Sequence, residues 1–201
     1  MRKQFVLAVL VSAVALASAR AEAADRITPP AVPGNLQVGD NAKAFLMGDA
    51  YGTQNYVCLP SSTSPTGFAW TLFGPQATLF NDDDEQIITH FLSPNPVESE
   101  TPRASWRHSR DSSTVWAVMT QSSSDPNFVQ QGAIPWFLLN VVGAQYGPDS
   151  GAKLTPTKYI QRVNTSGGIA PAAGCEQTAD VGRKALVPYR ATYIFYKDVQ
   201  P

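Results

Sequence analysis

The stretch YIQRVNTSGG, residues 159–168, has the pattern from which the fold is predicted. Its first seven residues are rich in β-branched and aromatic side chains, which is typical of a β-strand. Gly167 and Gly168 permit positive φ angles, and therefore a tight reversal of the chain. Structure alone explains the pattern. A second interpretation adds a ligand site at the strand end, with Arg162 and Asn164 on one face and His90 nearby.

Similar strand-like runs recur along the chain and are separated by turn residues. They occupy residues 42–48, 54–59, 68–73, 85–92, 113–119, 134–142 and 189–197. The chain has 16 prolines and 14 glycines, and few stretches rich in helix-forming residues. The sequence therefore predicts one all-β domain over residues 37–199. We expect a β-sandwich or a partly closed β-barrel with long loops.

The first 23 residues resemble an export signal. Arg2 and Lys3 precede an apolar run over residues 5–19, and Ala21-Glu22-Ala23 fits a cleavage site after Ala23. The apolar run is too short to span a bilayer, and no later segment is long enough. Residues 24–36 are rich in proline and predict an extended lead-in. We therefore expect an exported protein, periplasmic or extracellular, with no transmembrane segment after cleavage.

Cys58 and Cys175 are the only cysteines, and both follow the predicted leader. Two cysteines in an exported domain usually pair with each other, because the compartment is oxidising. A reactive thiol is the alternative, but neither cysteine lies in a C-x-x-C spacing or beside a His or Lys that would stabilise a thiolate. The sequence therefore predicts a structural disulfide between Cys58 and Cys175.

The composition of the chain and the absence of certain sequence motifs argue against several classes of function. The formal net charge is −1, and removal of the basic leader makes it more negative, whereas nucleic-acid-binding domains carry a basic face. There is no G-x-G-x-x-G motif for a dinucleotide and no G-x-S-x-G elbow for a nucleophilic serine. We expect no nucleic-acid partner and no cofactor. A hydrolase-like or metal-assisted enzyme that uses His90 with loop carboxylates is the alternative to a binding protein.

The acidic run at residues 81–85 lies just before His90. Clustered carboxylates suit a hard cation such as Ca²⁺, although the EF-hand spacing is absent. With two histidines in the chain, a His-rich zinc site is excluded, and the one metal alternative combines Asp82, Asp84 and His90. A solvated turn between strands explains the run equally well, and we favour no metal.

Residues 102–111, PRASWRHSRD, form the most distinctive polar segment, and we expect a loop there. Arg107 can bind a planar anion through two hydrogen bonds, and Trp106 offers a stacking face for a sugar. The alternative is an exposed loop whose charge is balanced by nearby acids. The candidate ligand is therefore a small anion or a carbohydrate. The sequence does not identify a protein partner.

Several motifs occur together in an order that resembles one protein family. They are GTQNYVC (52–58), WTLFGPQATL (70–79), THF-x-x-P (89–94), IPWFLL (134–139), YIQRVNTSGG (159–168), P-x-x-GC (171–175) and PYRATYIFY (188–196). In this order they resemble the exported domain-of-unknown-function family 3455 (DUF3455), over most of the chain. The resemblance implies a secreted single domain and implies no activity. We therefore expect an exported β-domain that is a non-catalytic binding or envelope-associated protein.

Overall fold

Eight β-strands dominate the computed structural model, which describes residues 27–199. In chain order they are β1 (Ala42–Pro60), β2 (Phe68–Phe80), β3 (Gln86–Asn95), β4 (Thr101–His108), β5 (Thr114–Ser123), β6 (Trp136–Gln145), β7 (Thr157–Gly167) and β8 (Lys184–Asp198). Four short 3-10 turns occur at Gly34–Leu36, Pro96–Glu98, Pro148–Ser150 and Thr178–Asp180. Within residues 27–199, no helix is long and apolar enough to cross a membrane. The predicted leader lies outside these residues.

Each strand pairs antiparallel with the next, and β8 pairs with β1, so the sheet is a closed eight-stranded barrel. The all-β prediction is confirmed, but neither a sandwich nor a partly closed barrel describes this sheet. Closure depends on the length of β1, whose 19 residues pair with β2 on one side and β8 on the other. A closed sheet leaves no strand edge available for pairing with another chain.

The sequence predicted two strands and a turn where the structure has the single strand β1. Gly48 and Gly52 led to that prediction, but both lie within the strand. A β-carbon on Gly52 would overlap the carbonyl oxygen of Gln76 on β2. Gly52 therefore serves close packing between strands rather than chain reversal, which is a common use of glycine inside a sheet.

The segment 102–111, predicted to be a loop, is mostly strand β4. Ala104, Trp106 and His108 alternate with Arg103 and Arg107 along it, and alternation with a period of two is typical of a strand. Trp106 is 1% exposed and His108 is 8% exposed, so this face of β4 points into the barrel. The high charge of the segment comes from the outward face. The loop prediction was wrong because it weighed composition above alternation.

Two apolar clusters lie on opposite faces of the sheet. The barrel interior is filled by side chains that include Leu79, Ile88, Ile160 and Phe195. The second cluster lies outside the barrel and consists of Leu36, Val129, Ala133, Trp136, Leu138, Val163, Ile194 and Tyr196. Leu36 is fully buried in it, and the Leu36 carbonyl accepts a hydrogen bond from Gln161 Nε2 at 2.7 Å. The part of the lead-in within residues 27–36 therefore packs against the barrel wall.

One end of the barrel is closed by the disulfide, and we call it the disulfide end. Cys58 on β1 is bonded to Cys175 in the connection between β7 and β8, which confirms the predicted pairing. Two backbone hydrogen bonds of 2.9 Å, from Cys58 N to Arg183 O and from Gly182 N to Cys58 O, fix the same connection to β1. At the other end lie the β2–β3, β4–β5 and β6–β7 connections.

Candidate anion site inside the barrel

Three of the predicted ligand residues, His90, Trp106 and Arg162, lie inside the barrel. His90 on β3 is paired directly with Trp106 on β4, and Arg162 on β7 is paired with Tyr193 on β8. Directly paired residues of antiparallel strands share one face of the sheet, and Trp106 and Tyr193 both belong to the interior core. The three side chains come from sequence positions far apart, and closure of the sheet brings them into one space.

Arg162 is the only one of the three that carries a permanent charge, and it is 8% exposed. Its Nη2 donates to the Pro135 carbonyl at 2.8 Å, and its guanidinium carbon lies 3.9 Å from the centre of the Phe137 ring. No ion pair among residues 27–199 includes Arg162. The interior therefore holds a positive charge that is offset by a carbonyl dipole, by an aromatic face and by a hydrogen bond with the Tyr193 side chain, and by no carboxylate among residues 27–199.

Aromatic side chains surround this charge. The rings of His90 and Trp106 are stacked with their centres 4.3 Å apart, and the Tyr193 ring lies 5.1 Å from His90. The hydroxyl oxygens of Tyr189 and Tyr193 are 3.3 Å apart. Tyr189 and Tyr193 are four residues apart on β8, and side chains alternate between the faces of a strand with a period of two. Both rings therefore point into the barrel. The site is thus apolar in its walls and polar at a few points.

The ionisation states favour a single net positive charge in the interior. Burial lowers the pKa of His90 to about 3, a hydrogen bond from its Nδ1 to the Ser105 carbonyl opposes this, and the charge of Arg162 lowers the pKa further. Burial raises the pKa values of Tyr189 and Tyr193, so both hydroxyls stay protonated. His90 is therefore neutral at pH 7, and its ring is stacked on the Trp106 ring.

Three buried donors in the interior have no hydrogen-bond partner among the described residues. They are Gln54 Nε2, Trp106 Nε1 and Arg162 Nε. Buried polar groups in folded proteins are nearly always paired, and an unpaired one costs about 1–3 kcal/mol. All three are donors, so an acceptor would be needed to pair each of them. Unpaired donors and the positive charge of Arg162 are chemically suited to an anion.

Gln54 and Arg162 lie toward the disulfide end. Gln54 packs beside Gly168, and so does Ile134, whose neighbour Pro135 accepts the hydrogen bond of Arg162. The Tyr56 hydroxyl donates to the Gly168 carbonyl at 2.7 Å, and the charge of Arg162 partly opposes the rise that burial causes in the pKa of Tyr56. Gly168, with φ of +83°, lets the chain turn over this end of the interior.

The other two predicted ligand residues, Arg107 and Asn164, are not part of this cluster. Arg107 lies on the outward face of β4, with its guanidinium 5.6 Å from the Phe91 ring. Asn164 adopts φ of +51° where the β7–β8 register shifts, so it leaves the face of Arg162 and donates to Thr192 Oγ1 at 3.3 Å. The expectation that Arg162 and Asn164 share a face assumed regular alternation, which this irregularity interrupts.

The carboxylates of the metal and enzyme alternatives are separated from His90. Asp82 and Asp84 lie in the exposed turn between β2 and β3, whereas His90 is 2% exposed in the interior. Within the part of the chain that the structure describes, no three His, Cys, Asp or Glu residues are placed to hold a metal ion. The histidine that contacts a carboxylate is His108, whose Nδ1 is 3.0 Å from Asp111 Oδ1.

Sequence reasoning missed Gln54, Tyr189 and Tyr193 as members of the cluster. The sequence contains a signal for the two tyrosines, because Tyr189, Ala191, Tyr193 and Phe195 alternate along β8 and all are buried. Gln54 has no such signal, since an isolated glutamine in a strand is ordinarily solvent-exposed.

Comparison with known proteins gives one family. The protein-family model described as "Protein of unknown function (DUF3455)" matches residues 39–197, which confirms the resemblance noted in the sequence. No curated protein and no solved structure matches the chain.

Proposed function

The chain belongs to the DUF3455 family, and from this premise we propose that it is an exported, non-catalytic binding protein whose barrel holds a small organic anion beside Arg162. The observation that carries the proposal is the buried guanidinium of Arg162, which has no carboxylate partner among the described residues. A buried charge without a counter-ion costs several kcal/mol, and a bound anion would offset that cost.

The chemistry of the residues around Arg162 favours a carboxylate on a compact apolar body. An eight-stranded barrel encloses just enough space for side chains or for one small ligand. A guanidinium binds a planar carboxylate through two parallel hydrogen bonds, and the Phe137 and Trp106 rings would contact the apolar part of the ligand. A carbohydrate has less support, because Trp106 is buried and presents no stacking face to solvent.

Export rests on the predicted leader at residues 1–23 and is compatible with the Cys58–Cys175 disulfide. The same two features support a location in the periplasm or outside the cell, as an envelope-associated protein. A barrel with a disulfide at one end suits such a compartment, because thiols there are not kept reduced and the disulfide persists.

The enzyme alternative has less support. His90 is neutral and hydrogen-bonded to a backbone carbonyl, and no carboxylate contributes to its pKa shift. A general base with a pKa of about 3 is almost always unprotonated at pH 7 but is too weak to abstract a proton efficiently. The geometry therefore favours binding over acid–base chemistry at this residue.

A thermal-shift screen of the purified protein tests the proposal. The panel contains acetate, benzoate, phenylacetate, sulfate and chloride, all at equal ionic strength. A ligand at one hundred times its Kd stabilises a protein by about 2.7 kcal/mol, which raises the Tm by roughly 5–11 °C for a domain of this size. We expect the aromatic carboxylates to raise the Tm more than acetate or the inorganic anions. A panel in which no carboxylate raises the Tm contradicts the proposal.

The variant Arg162→Met separates a ligand-binding arginine from a structural one. Without ligand, we expect Arg162→Met to increase the free energy of unfolding by about 1–3 kcal/mol, because it removes a buried unpaired charge and keeps the volume. With benzoate, we expect it to show no Tm shift. The matched control is Arg107→Met on the outward face, which should keep the ligand response. Gln54→Leu provides a second test, since it removes one unpaired donor and should weaken binding.

A further inference from the structure

The end of the barrel opposite the disulfide has a basic pocket, defined here by Lys43, Pro156, Lys158, Lys197 and Asp198. Lys43 is the second residue of β1, Lys158 is the second residue of β7, and Lys197 lies near the end of β8. The sheet register therefore brings the three lysines to the same end of the barrel. The cavity measures about 490 Å³, which falls in the range of small-molecule pockets.

The charges of this pocket are not balanced by the protein. Lys43 and Lys197 are directly paired across β1 and β8, and like charges placed opposite each other destabilise a sheet. The carboxylate of Asp198 lies 3.6 Å from Lys158 Nζ. No ion pair among residues 27–199 includes Lys43 or Lys197, and the ammonium of Lys197 lies over the Phe45 ring at 5.3 Å.

We propose that the basic pocket binds a phosphate group. Lysine ammoniums act as compact point charges with freely rotating donors, which suits the several oxygens of a phosphate better than the planar fork of a carboxylate. Two unpaired lysines facing each other provide charge for one doubly charged group. The phosphate belongs either to a soluble phosphate ester or to a lipid headgroup, and both present the same chemistry to the pocket.

This site is independent of the interior anion site. Arg162 is buried within the barrel, and its hydrogen-bond acceptor Pro135 lies in the β5–β6 connection at the disulfide end, whereas the lysines surround the opposite opening. Arginine with aromatic walls and lysine with an open cavity are also suited to different ligands. Loss of carboxylate binding at Arg162 should therefore leave phosphate binding at the basic pocket intact, and the two proposals can be tested separately.

The test uses isothermal titration calorimetry with inorganic pyrophosphate at low ionic strength. The variant is Lys43→Gln/Lys197→Gln, and the matched control is Lys153→Gln/Lys184→Gln, which makes the same change in net charge outside the pocket. We expect the pocket variant to weaken binding about tenfold and the control to change it by less than about twofold. Arg162→Met should bind pyrophosphate as the unmodified protein does.

Sedimentation with vesicles distinguishes the two sources of phosphate. One set is phosphatidylcholine alone, and the other adds phosphatidylglycerol. Cosedimentation with the anionic vesicles alone, lost in Lys43→Gln/Lys197→Gln, assigns the pocket to a lipid headgroup. Pyrophosphate binding without cosedimentation assigns it to a soluble ester. The proposal is overturned if neither probe binds, or if the control double variant loses as much affinity as the pocket variant.

Discussion

His90 makes the stability of the barrel dependent on pH. Its folded-state pKa is about 3, against 6.5 for an unperturbed histidine. Below pH 6.5 His90 is protonated in the unfolded chain but stays neutral in the folded barrel. The contribution of His90 to the free energy of unfolding is therefore complete above pH 6.5 and is lost as the pH falls toward 3. The full loss is up to about 5 kcal/mol. We expect the free energy of unfolding, measured with urea, to fall between pH 6.5 and about 4.

The variant His90→Phe checks this assignment, because it keeps a ring stacked on Trp106 and cannot be protonated. It should flatten the pH dependence at a cost of about 1 kcal/mol at pH 7 for the lost hydrogen bond to Ser105. His108→Phe is the control. Burial also lowers the pKa of His108, but Asp111 opposes that shift, so its removal should flatten the curve less. A His90→Phe slope equal to that of the unmodified protein would show that another group causes the loss.

Asp111 sets a lower limit to the pH range over which the free energy of unfolding reports on the histidines. Burial opposes its ionisation, but hydrogen bonds from the Lys153 amide and from Ser113 hold its pKa at about 2, below the usual 3.8. Its contribution is complete above pH 3.8 and is lost as the pH falls through 2. Hydrogen bonds from Arg103 and Asn95 also lower the pKa of Glu98 from 4.5, so its contribution is lost only below that pH. Between pH 6.5 and about 5 the change therefore belongs to the histidines.

At the scale of a strand, the pairing of β1 with β2 depends on Gly52. A β-carbon there would overlap Gln76 O and lie 2.5 Å from Ala77 Cα, and both are backbone atoms that cannot move without shifting β2. We expect Gly52→Ala to lower the free energy of unfolding by about 2–3 kcal/mol. Gly34→Ala is the matched control, since no atom lies within 4 Å of its β-carbon position, and it should change stability by less than about 0.5 kcal/mol. Equal effects in urea unfolding would refute the packing role of Gly52.

Strands were predictable from the sequence where alternation and composition agree, and were missed where they disagree. Residues 159–165 and 189–197 were predicted to be strands, and they lie in β7 and β8. Strand β4 was predicted to be a loop because the arginines on its outward face gave the segment a polar composition. Strand β1 was predicted to be two strands because glycine occurs both in turns and in close contacts between strands, and the sequence does not distinguish the two. The same limit applies to the site. His90, Trp106 and Arg162 could be named singly, but only the register of a closed sheet places them together.

At the scale of the whole molecule, closure gives the barrel two chemically different ends. The disulfide end carries the buried guanidinium of Arg162 and the connection that turns over it at Gly168. The opposite end carries the basic pocket of Lys43, Lys158 and Lys197. The apolar core of the barrel lies between them. A molecule that uses both ends would hold a phosphate group at one end and a small carboxylate at the other.

The Cys58–Cys175 disulfide links β1 to the connection that covers the disulfide end, across 117 residues of sequence. In the chain-entropy account, a cross-link of this span restricts the unfolded state by about 5 kcal/mol, and measured effects are often smaller. We therefore expect Cys58→Ala/Cys175→Ala to lower the free energy of unfolding in urea by about 3–5 kcal/mol. A reducing agent should lower the stability of the unmodified protein to that of the variant and should leave the variant unchanged. If reduction leaves the unmodified protein as stable as before, hydrogen bonds such as Gly182 N to Cys58 O, and not the disulfide, hold this end closed.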